Sequence, residues 1–163
     1  MQQEPPIAKP TRRPRADGAR NRTRLIAAAK RACAEKGAAV SLEHIAREAE
    51  VSIATLYRHF PTRDELISAV YQQEVDMLIE AADQLMTKQE PATALREWLM
   101  LFVDFLDAKY GMAEAMDTLI GGPEPLYSRT PHRLDVPIKA LVAGGVATGV
   151  LRGTAAVRSG FRR

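Results

Sequence analysis

Residues 52–60, SIATLYRHF, combine hydroxyl, aromatic and basic side chains at a spacing that suits a helix. Hydroxyl, guanidinium and imidazole groups are hydrogen-bond donors that suit anionic oxygens. The exposed face of such a helix is expected to present Ser52, Ala54, Thr55, Arg58 and His59. The chemistry that these residue types support at this spacing is the binding of a polyanion, with no covalent bond made or broken.

The sequence offers no arrangement of groups suited to catalysis or metal binding. Its single cysteine, Cys33, falls on an apolar helical stripe, so we interpret it as a core residue, and one cysteine cannot form an intramolecular disulfide. No cluster of Cys and His has the spacing of zinc ligands, and no Gly-rich phosphate loop is present. Asp104, Asp107 and Glu114 have the spacing of solvated carboxylates. We therefore expect no enzymatic activity, no cofactor and no metal ion.

Charge is distributed unevenly along the 163 residues, although the net charge is only +3. Residues 1–60 carry 12 Lys and Arg against 6 Asp and Glu, whereas residues 61–151 carry 7 against 14. Residues 152–163 add 4 Arg and no acid. A basic first part followed by an acidic second part indicates a polyanionic partner for the first part alone. Chance unevenness is the alternative.

Capping and turn residues place the polar segment in a pair of short helices. An apolar stripe that begins at Leu25 predicts a first helix over residues 21–37. Ser41 and Ser52 are good N-caps for a second and a third helix, and Pro61 ends the third. Two helices of about two turns joined by a short turn form a helix-turn-helix, whose second helix enters the major groove of DNA.

The rest of the chain shows helical periodicity and no strand-like alternation. Thr62 and Glu65 form a capping box that starts a long fourth helix. Pro91 fits the first turn of a fifth helix, and a short sixth helix follows. Residues 124–131 are predicted to form a loop before a seventh helix that ends at residue 150. The predicted fold class is all-α.

These elements divide the chain into four parts. We predict a disordered basic arm over residues 1–19, a three-helix DNA-binding head over 20–66, a helical body over 67–151 and a basic tail over 152–163. The longest apolar stretch is too short to span a bilayer, and the N-terminus carries Pro and Arg where a signal peptide needs an apolar block. We expect a cytoplasmic protein with no membrane partner.

Residues 41–66, SLEHIAREAEVSIATLYRHFPTRDEL, resemble the DNA-binding region of the TetR family of bacterial transcriptional regulators. The resemblance rests on the Ser that opens the second helix, an Ile-Ala pair, a Val-Ser entry to the third helix, the run LYRHF, and a basic residue and an acid before Leu66. The first helix agrees, with its Leu-Ile and Ala-Ala pairs and its Glu-Lys-Gly ending. Beyond residue 66 only the all-α layout is similar.

The resemblance implies a ligand-responsive transcriptional regulator that binds double-stranded operator DNA. Its expected role is that of a repressor. A small-molecule effector bound to the helical body would release the DNA. Ser41, Tyr57 and His59 would contact phosphates, Arg63 stands where the family has a Lys on the DNA backbone, and Ser52 and Thr55 would touch base edges. The expected DNA-binding residues are Arg22, Ser41, Ser52, Ala54, Thr55, Tyr57, Arg58, His59 and Arg63.

Each of these residues also has a purely structural interpretation. Under it, Ser41 caps its helix, Tyr57 packs in the head with its hydroxyl exposed, and Arg58 is a solvated charge. In the body, a set of apolar side chains lines a ligand pocket, packs in the core, or forms apolar surface left bare by the missing helices. The pocket candidates are Trp98, Phe102, Phe105, Met116 and Tyr127.

Two features depart from the family pattern. The turn between the second and third helices usually carries Gly, whereas this chain has Glu50, which costs on the order of 1 kcal/mol if the backbone there needs a positive φ. Family members also continue into two long dimer-forming helices, whereas this sequence after Leu151 is RGTAAVRSGFRR. We therefore expect a truncated or frameshifted body that lacks its usual last helices, which makes the family's homodimer doubtful. The alternative function is a constitutive or defective DNA-binding module with weak or no dimerisation.

Overall fold

The computed structural model describes residues 14–152, which form helices joined by short turns. The helices are α1 (Pro14–Lys36), α2 (Leu42–Glu48), α3 (Ile53–His59), α4 (Arg63–Lys88), α5 (Pro91–Gly111), α6 (Ala113–Asp117), α7 (Glu124–Tyr127) and α8 (Thr130–Ala147). A 3₁₀ turn, Gly37–Ala39, follows α1. No strand occurs in this part of the chain, and the predicted all-α fold class is confirmed. None of its helices is both long and apolar enough to cross a bilayer.

Helices α1, α2 and α3 enclose a small apolar core. α1 buries Leu25, Ala29 and Cys33 along one stripe, α2 contributes Ile45, and α3 contributes Leu56. α2 and α3 are each only 7 residues long, so packing on α1 rather than helix propensity holds them in shape. Burial raises the pKa of the Cys33 thiol, with a nearby arginine opposing the shift, so the thiol stays protonated as a core group.

The long helix α4 continues from the head into the body. It begins after Thr62, whose hydroxyl accepts a hydrogen bond from the Glu65 amide at 3.2 Å, as the capping box predicts. The helix packs against α1, α5 and α8. Its buried residues are Leu66, Ile67, Val70, Tyr71, Glu74, Val75, Leu78 and Ala82. Met77, which the predicted stripe places inward, is instead 45% exposed.

Helices α4, α5 and α8 form the core of the body, and the short helices α6 and α7 pack against α4. Trp98 of α5 is buried, and its indole Nε1 donates a hydrogen bond to the Leu78 carbonyl of α4 at 2.8 Å. Trp98 also stacks on Phe102, with ring centroids 5.6 Å apart. Leu134 and Leu141 complete the core from α8. The buried indole hydrogen bond therefore fixes α5 against α4, while the aromatic stack packs within α5.

The structure corrects two predicted boundaries. Residues 14–19, which composition places in a disordered arm, form the first turns of α1, while the rest of that arm and nearly all of the basic tail lie outside the described residues. The predicted loop at 124–131 contains α7 and the start of α8. Pro125 and Pro131 stand in the first turns of these helices, where the missing N–H breaks no hydrogen bond. Pro137 lies inside α8 without ending it.

The turn between α2 and α3 adopts the positive φ under which Glu50 is expected to be strained. Glu50 has a φ of 52°, in the left-handed region where a residue with a Cβ costs roughly 1–2 kcal/mol. Within residues 14–152 it is the only non-glycine residue with a positive φ. Its carboxylate pairs with Arg24 of α1, but the exposure of both groups means that the pair offsets little of this strain. The Val51 amide secures the turn by donating to the Ala46 carbonyl at 3.0 Å.

Substituting Glu50 by Gly and by Ala separates the cost of the Cβ from the loss of the ion pair, because both variants lose the Arg24 contact. We expect E50G to exceed E50A by about 1 kcal/mol in free energy of unfolding, since only Ala keeps the Cβ that a positive φ disfavours. Urea unfolding followed by circular dichroism measures the difference. Equal stabilities, or a more stable Ala variant, would show that this turn is unstrained.

Candidate functional site

The first candidate site is the exposed side of α3. Ser52 caps this helix: its hydroxyl accepts a hydrogen bond from the Thr55 amide at 3.1 Å and lies 2.9 Å from the Thr55 hydroxyl. Ala54, which lies between these two residues in the sequence, also has an exposed side chain. Since each hydroxyl both donates and accepts, the Ser52–Thr55 pair has hydrogen-bonding capacity left for an external partner.

Towards its C-terminus α3 presents larger side chains. Tyr57 is 45% exposed, so much of its side chain lies outside the head core. Arg58 is exposed and forms no ion pair or hydrogen bond with any residue in the range 14–152. His59 is half-buried and lies beside Phe60, with ring centroids 6.5 Å apart. Ile53, which the apolar pattern places inward, is 37% exposed and adds an apolar group to this surface.

The second element of the head site is the start of α2. Ser41 is exposed, and its hydroxyl accepts a hydrogen bond from the His44 amide at 3.2 Å. The structural interpretation of Ser41 as a helix cap therefore holds. Capping uses an oxygen lone pair and leaves the hydroxyl proton available, so Ser41 can cap α2 and still donate a hydrogen bond to an anion.

Three arginines in the first half of α1, Arg20, Arg22 and Arg24, contact other groups of the protein. Arg20 pairs with Asp17, and Arg24 pairs with Glu50. Arg22 lies with its guanidinium carbon 5.2 Å from the centroid of the Phe60 ring, a cation–π contact that leaves its charge uncompensated. Of these three arginines, Arg22 has no carboxylate partner among the described residues, so it is the best placed to attract a phosphate.

Arg63 is placed differently from the expectation. Its guanidinium donates to the Thr118 hydroxyl at 2.6 Å and to the Ala38 carbonyl at 3.1 Å. The neighbouring Asp64 accepts a hydrogen bond from the Ile120 amide at 2.9 Å. Arg63 therefore joins the head to the segment that follows α6. Sequence reasoning missed this contact because Thr118 is 55 residues away and no local pattern reports it.

The other candidate site is a cavity of about 360 Å³ between α4, α5, α7 and α8. Its walls are formed by Tyr71, Phe102, Phe105, Leu106, Lys109, Tyr127, Thr130, Pro131, Leu134, Asp135 and Ile138. The predicted pocket residues Phe102, Phe105 and Tyr127 are thus brought together. A larger groove beside Arg22 and α4, about 460 Å³, has mostly polar and charged walls, so the aromatic cavity suits an organic ligand better.

The other two predicted pocket residues do not line this cavity. Trp98 is only 3% exposed and lies behind Phe102, on which it stacks. Met116 is fully buried, and its sulfur accepts a weak hydrogen bond from the Tyr127 hydroxyl at 3.5 Å. Each supports a wall residue from the core. The sequence could not separate the two sets, because apolar side chains that line a cavity have the same periodicity as those that fill a core.

Sequence reasoning also missed the polar residues Tyr71, Lys109 and Thr130 in the cavity wall. The Tyr71 hydroxyl lies 2.7 Å from the Thr130 hydroxyl, which donates its own proton to the Leu126 carbonyl at 3.1 Å, so Tyr71 must be the donor of the pair. Burial raises the pKa of Tyr71. Lys109 holds its Nζ 3.9 Å from the centroid of the Tyr127 ring. The cavity therefore combines neutral phenols with one ammonium group.

Comparison with known proteins places this architecture in a family. The family model described as "Bacterial regulatory proteins, tetR family" matches residues 25–70, which include α2, α3 and the turn between them. A TetR transcriptional regulator from Streptomyces coelicolor is 39% identical, with a TM-score of 0.70, over 78% of this chain and 73% of that one. The TetR transcription regulatory protein from Mycobacterium vanbaalenii is 31% identical, with a TM-score of 0.76, over 86% and 84%. The chain belongs to the TetR family of transcriptional regulators.

A more distant likeness concerns the fold alone. The structure of RolR in complex with the ligand resorcinol is 24% identical, with a TM-score of 0.50, over 83% of this chain and 68% of that one. The described part of this chain therefore shares its helical layout with a protein whose sequence has diverged widely.

The placement of Arg63 predicts a structural effect from its substitution. Arg63→Lys keeps the positive charge, but a single ammonium group cannot reproduce the fork of donors that reaches both Thr118 and Ala38. We expect R63K and R63A each to lower the free energy of unfolding by about 1 kcal/mol. Neither should change the salt dependence of DNA binding.

The control for this prediction is the slope of the logarithm of DNA affinity against the logarithm of salt concentration. If Arg63 bound a phosphate, R63A would reduce the slope by about one unit and R63K would retain the wild-type value. That result, without a loss of stability, would contradict the structural role.

Proposed function

We propose that this TetR-family protein is a repressor that binds operator DNA through α2 and α3 and releases it when a small molecule occupies the cavity. The observation that supports this best is the exposed side of α3, in a domain that matches the family. This side carries the Ser52–Thr55 hydroxyl pair and Arg58, which has no ion-pair partner among residues 14–152. In a helix-turn-helix the second helix lies in the major groove, and α3 is that helix. Such a protein acts in the cytoplasm, where bacterial DNA is found.

The head residues are proposed to have two roles. Ser52, Ala54 and Thr55 read base edges from the start of α3, since hydroxyls bond to base edges and a methyl group contacts the thymine methyl. A second set holds phosphates and so positions the head without reading the sequence. This second set is Arg22, Ser41, Tyr57, Arg58 and His59. Arg63 is left out, because its guanidinium is bound within the protein.

The ligand response is proposed to pass through α4. Tyr71 lines the cavity, and Ile67, one turn earlier on the same helix, is buried in the core. A ligand can shift the position of the head only by its difference in affinity for the two states, so it must bind more tightly when α4 is in the DNA-releasing position. The complex of RolR with resorcinol is consistent with a small organic effector for this fold.

We propose that two copies bind one operator, since helix-turn-helix dimers bind half-sites about one helical turn apart. Apolar side chains on α5 and α8 are exposed and offer a surface for a second copy. They include Leu99, Met100, Val103, Val142 and Val146. The alternative is a constitutive module that binds DNA weakly as a monomer. Sedimentation at tens of micromolar separates the two, because a monomer contradicts the dimer.

Operator binding is tested with a labelled duplex from the region upstream of the protein's own gene. We expect saturable binding in fluorescence anisotropy, with an affinity that falls as salt rises because counterions are released from each contacted phosphate. The salt concentration must be stated with each affinity. No binding at moderate salt would contradict the proposed function.

Two substitutions separate reading from positioning. Thr55→Ala should change the preference at particular base pairs by about 1–3 kcal/mol. Tyr57→Phe should weaken binding by about 1 kcal/mol on every sequence, since it removes a phosphate donor. The measurement is the affinity for duplexes that differ by single base pairs. The control is Thr87→Ala at the far end of α4, whose hydroxyl donates to the Asp83 carbonyl. Identical behaviour of the two head variants would refute this division.

A further inference from the structure

The charge of the cavity wall indicates which ligands it accepts. The wall is largely aromatic and aliphatic. Apart from the tyrosines, three of its side chains carry a charge or a hydroxyl: Lys109, Thr130 and Asp135. The Thr130 hydroxyl accepts from Tyr71 and donates to the Leu126 carbonyl, so its proton is already used. The hydrogen-bonding needs of this part of the wall are met without a ligand.

The two charged residues of the wall differ in whether a neighbouring opposite charge balances their own. Asp135 accepts from the Lys139 ammonium at 2.6 Å, so an ion pair on α8 already balances its charge. Lys109 forms no ion pair with any carboxylate of residues 14–152 and is half-buried. Its Nζ lies over the Tyr127 ring, and this contact holds the ammonium at the wall without neutralising it.

We propose that the cavity takes a small organic anion, a single aromatic or aliphatic body with one carboxylate that pairs with Lys109. This inference rests on the proposed ligand response and specifies the class of its effector. A carboxylate supplies the missing counter-charge, and its body is buried against Phe102, Phe105 and Tyr71. A volume of about 360 Å³ lies near the lower end of ligand pockets and fits a compact acid.

A cationic ligand fits the same wall poorly. Aromatic faces attract cations, but the Lys109 ammonium already lies 3.9 Å from the Tyr127 ring and repels a second positive charge. Burial raises the pKa of Tyr127, with Tyr71 and Asp117 adding to the shift, so this phenol stays neutral and supplies no anion for a cation. Neutral ligands gain burial but leave Lys109 without a counter-charge.

The test compares three probes of the same shape: 3-phenylpropanoate, 3-phenylpropanamide and 3-phenylpropylammonium. Binding to the full chain is measured by calorimetry and by the fluorescence of Trp98, the single tryptophan, which stacks on the wall residue Phe102. We expect the acid to bind about tenfold more tightly than the amide, and the amine to bind least. In Lys109→Met the acid should bind no better than the amide.

Two variants control for charge and folding. Lys88→Met makes the same change of net charge at the exposed end of α4, outside the cavity wall, and should keep the preference for the acid. Lys109→Arg retains a cation and should also keep it. Equal binding of acid and amide to the unmodified protein, or an acid preference that survives in K109M, would overturn the inference and leave the proposed function standing. Failure of all three probes to bind would also overturn the inference. The proposed function is tested separately, by operator binding.

Discussion

The burial of α4 in both the head and the body is the constraint on which the rest of the structure depends. Leu66 and Ile67 near its start are almost fully buried, as are Leu78 and Ala82 further along the same helix. Truncating a buried leucine to alanine typically costs roughly 2–5 kcal/mol, so neither end of α4 can leave its core cheaply. A movement of α4 in the body must therefore also displace the part of α4 that packs in the head.

Polar contacts reinforce this connection at defined points. Glu74 of α4 is only 8% exposed, and its carboxylate accepts from the Lys30 ammonium of α1 at 2.8 Å. Glu74 without this partner would be a buried, uncompensated charge, which is costly, so the pair holds α4 against α1, while the Lys30 side chain stays partly exposed. Arg63 adds a second connection, from the start of α4 to Thr118 beyond α6. The cavity, α4 and the helices of the head thus form one continuous network of contacts.

Local patterns predicted much of the fold, and contacts between distant residues account for what they missed. The caps at Ser41, Ser52 and Thr62 follow from hydroxyl side chains within three residues of the amides that they accept from. The positive φ at Glu50 occurs where the resemblance to the TetR family places a glycine. The partner of Arg63 lies 55 residues away, and Tyr71 meets Thr130 across 59 residues, so neither contact leaves a periodic signal in the sequence. Periodicity also predicted the apolar side of α5, but it did not show which of its residues face a cavity.

We expect the head and the body to respond as one unit through α4. Thermal unfolding followed by Trp98 fluorescence, with and without a promoter duplex that binds the protein, tests this coupling. DNA is proposed to contact the head alone, whereas Trp98 reports on the body, where its indole is bonded to Leu78 of α4. If α4 couples the two, the bound duplex raises the midpoint of the Trp98 transition, because a ligand of the folded state stabilises the whole cooperative unit. A Trp98 midpoint unchanged by saturating duplex would show that α4 does not couple the head to the body.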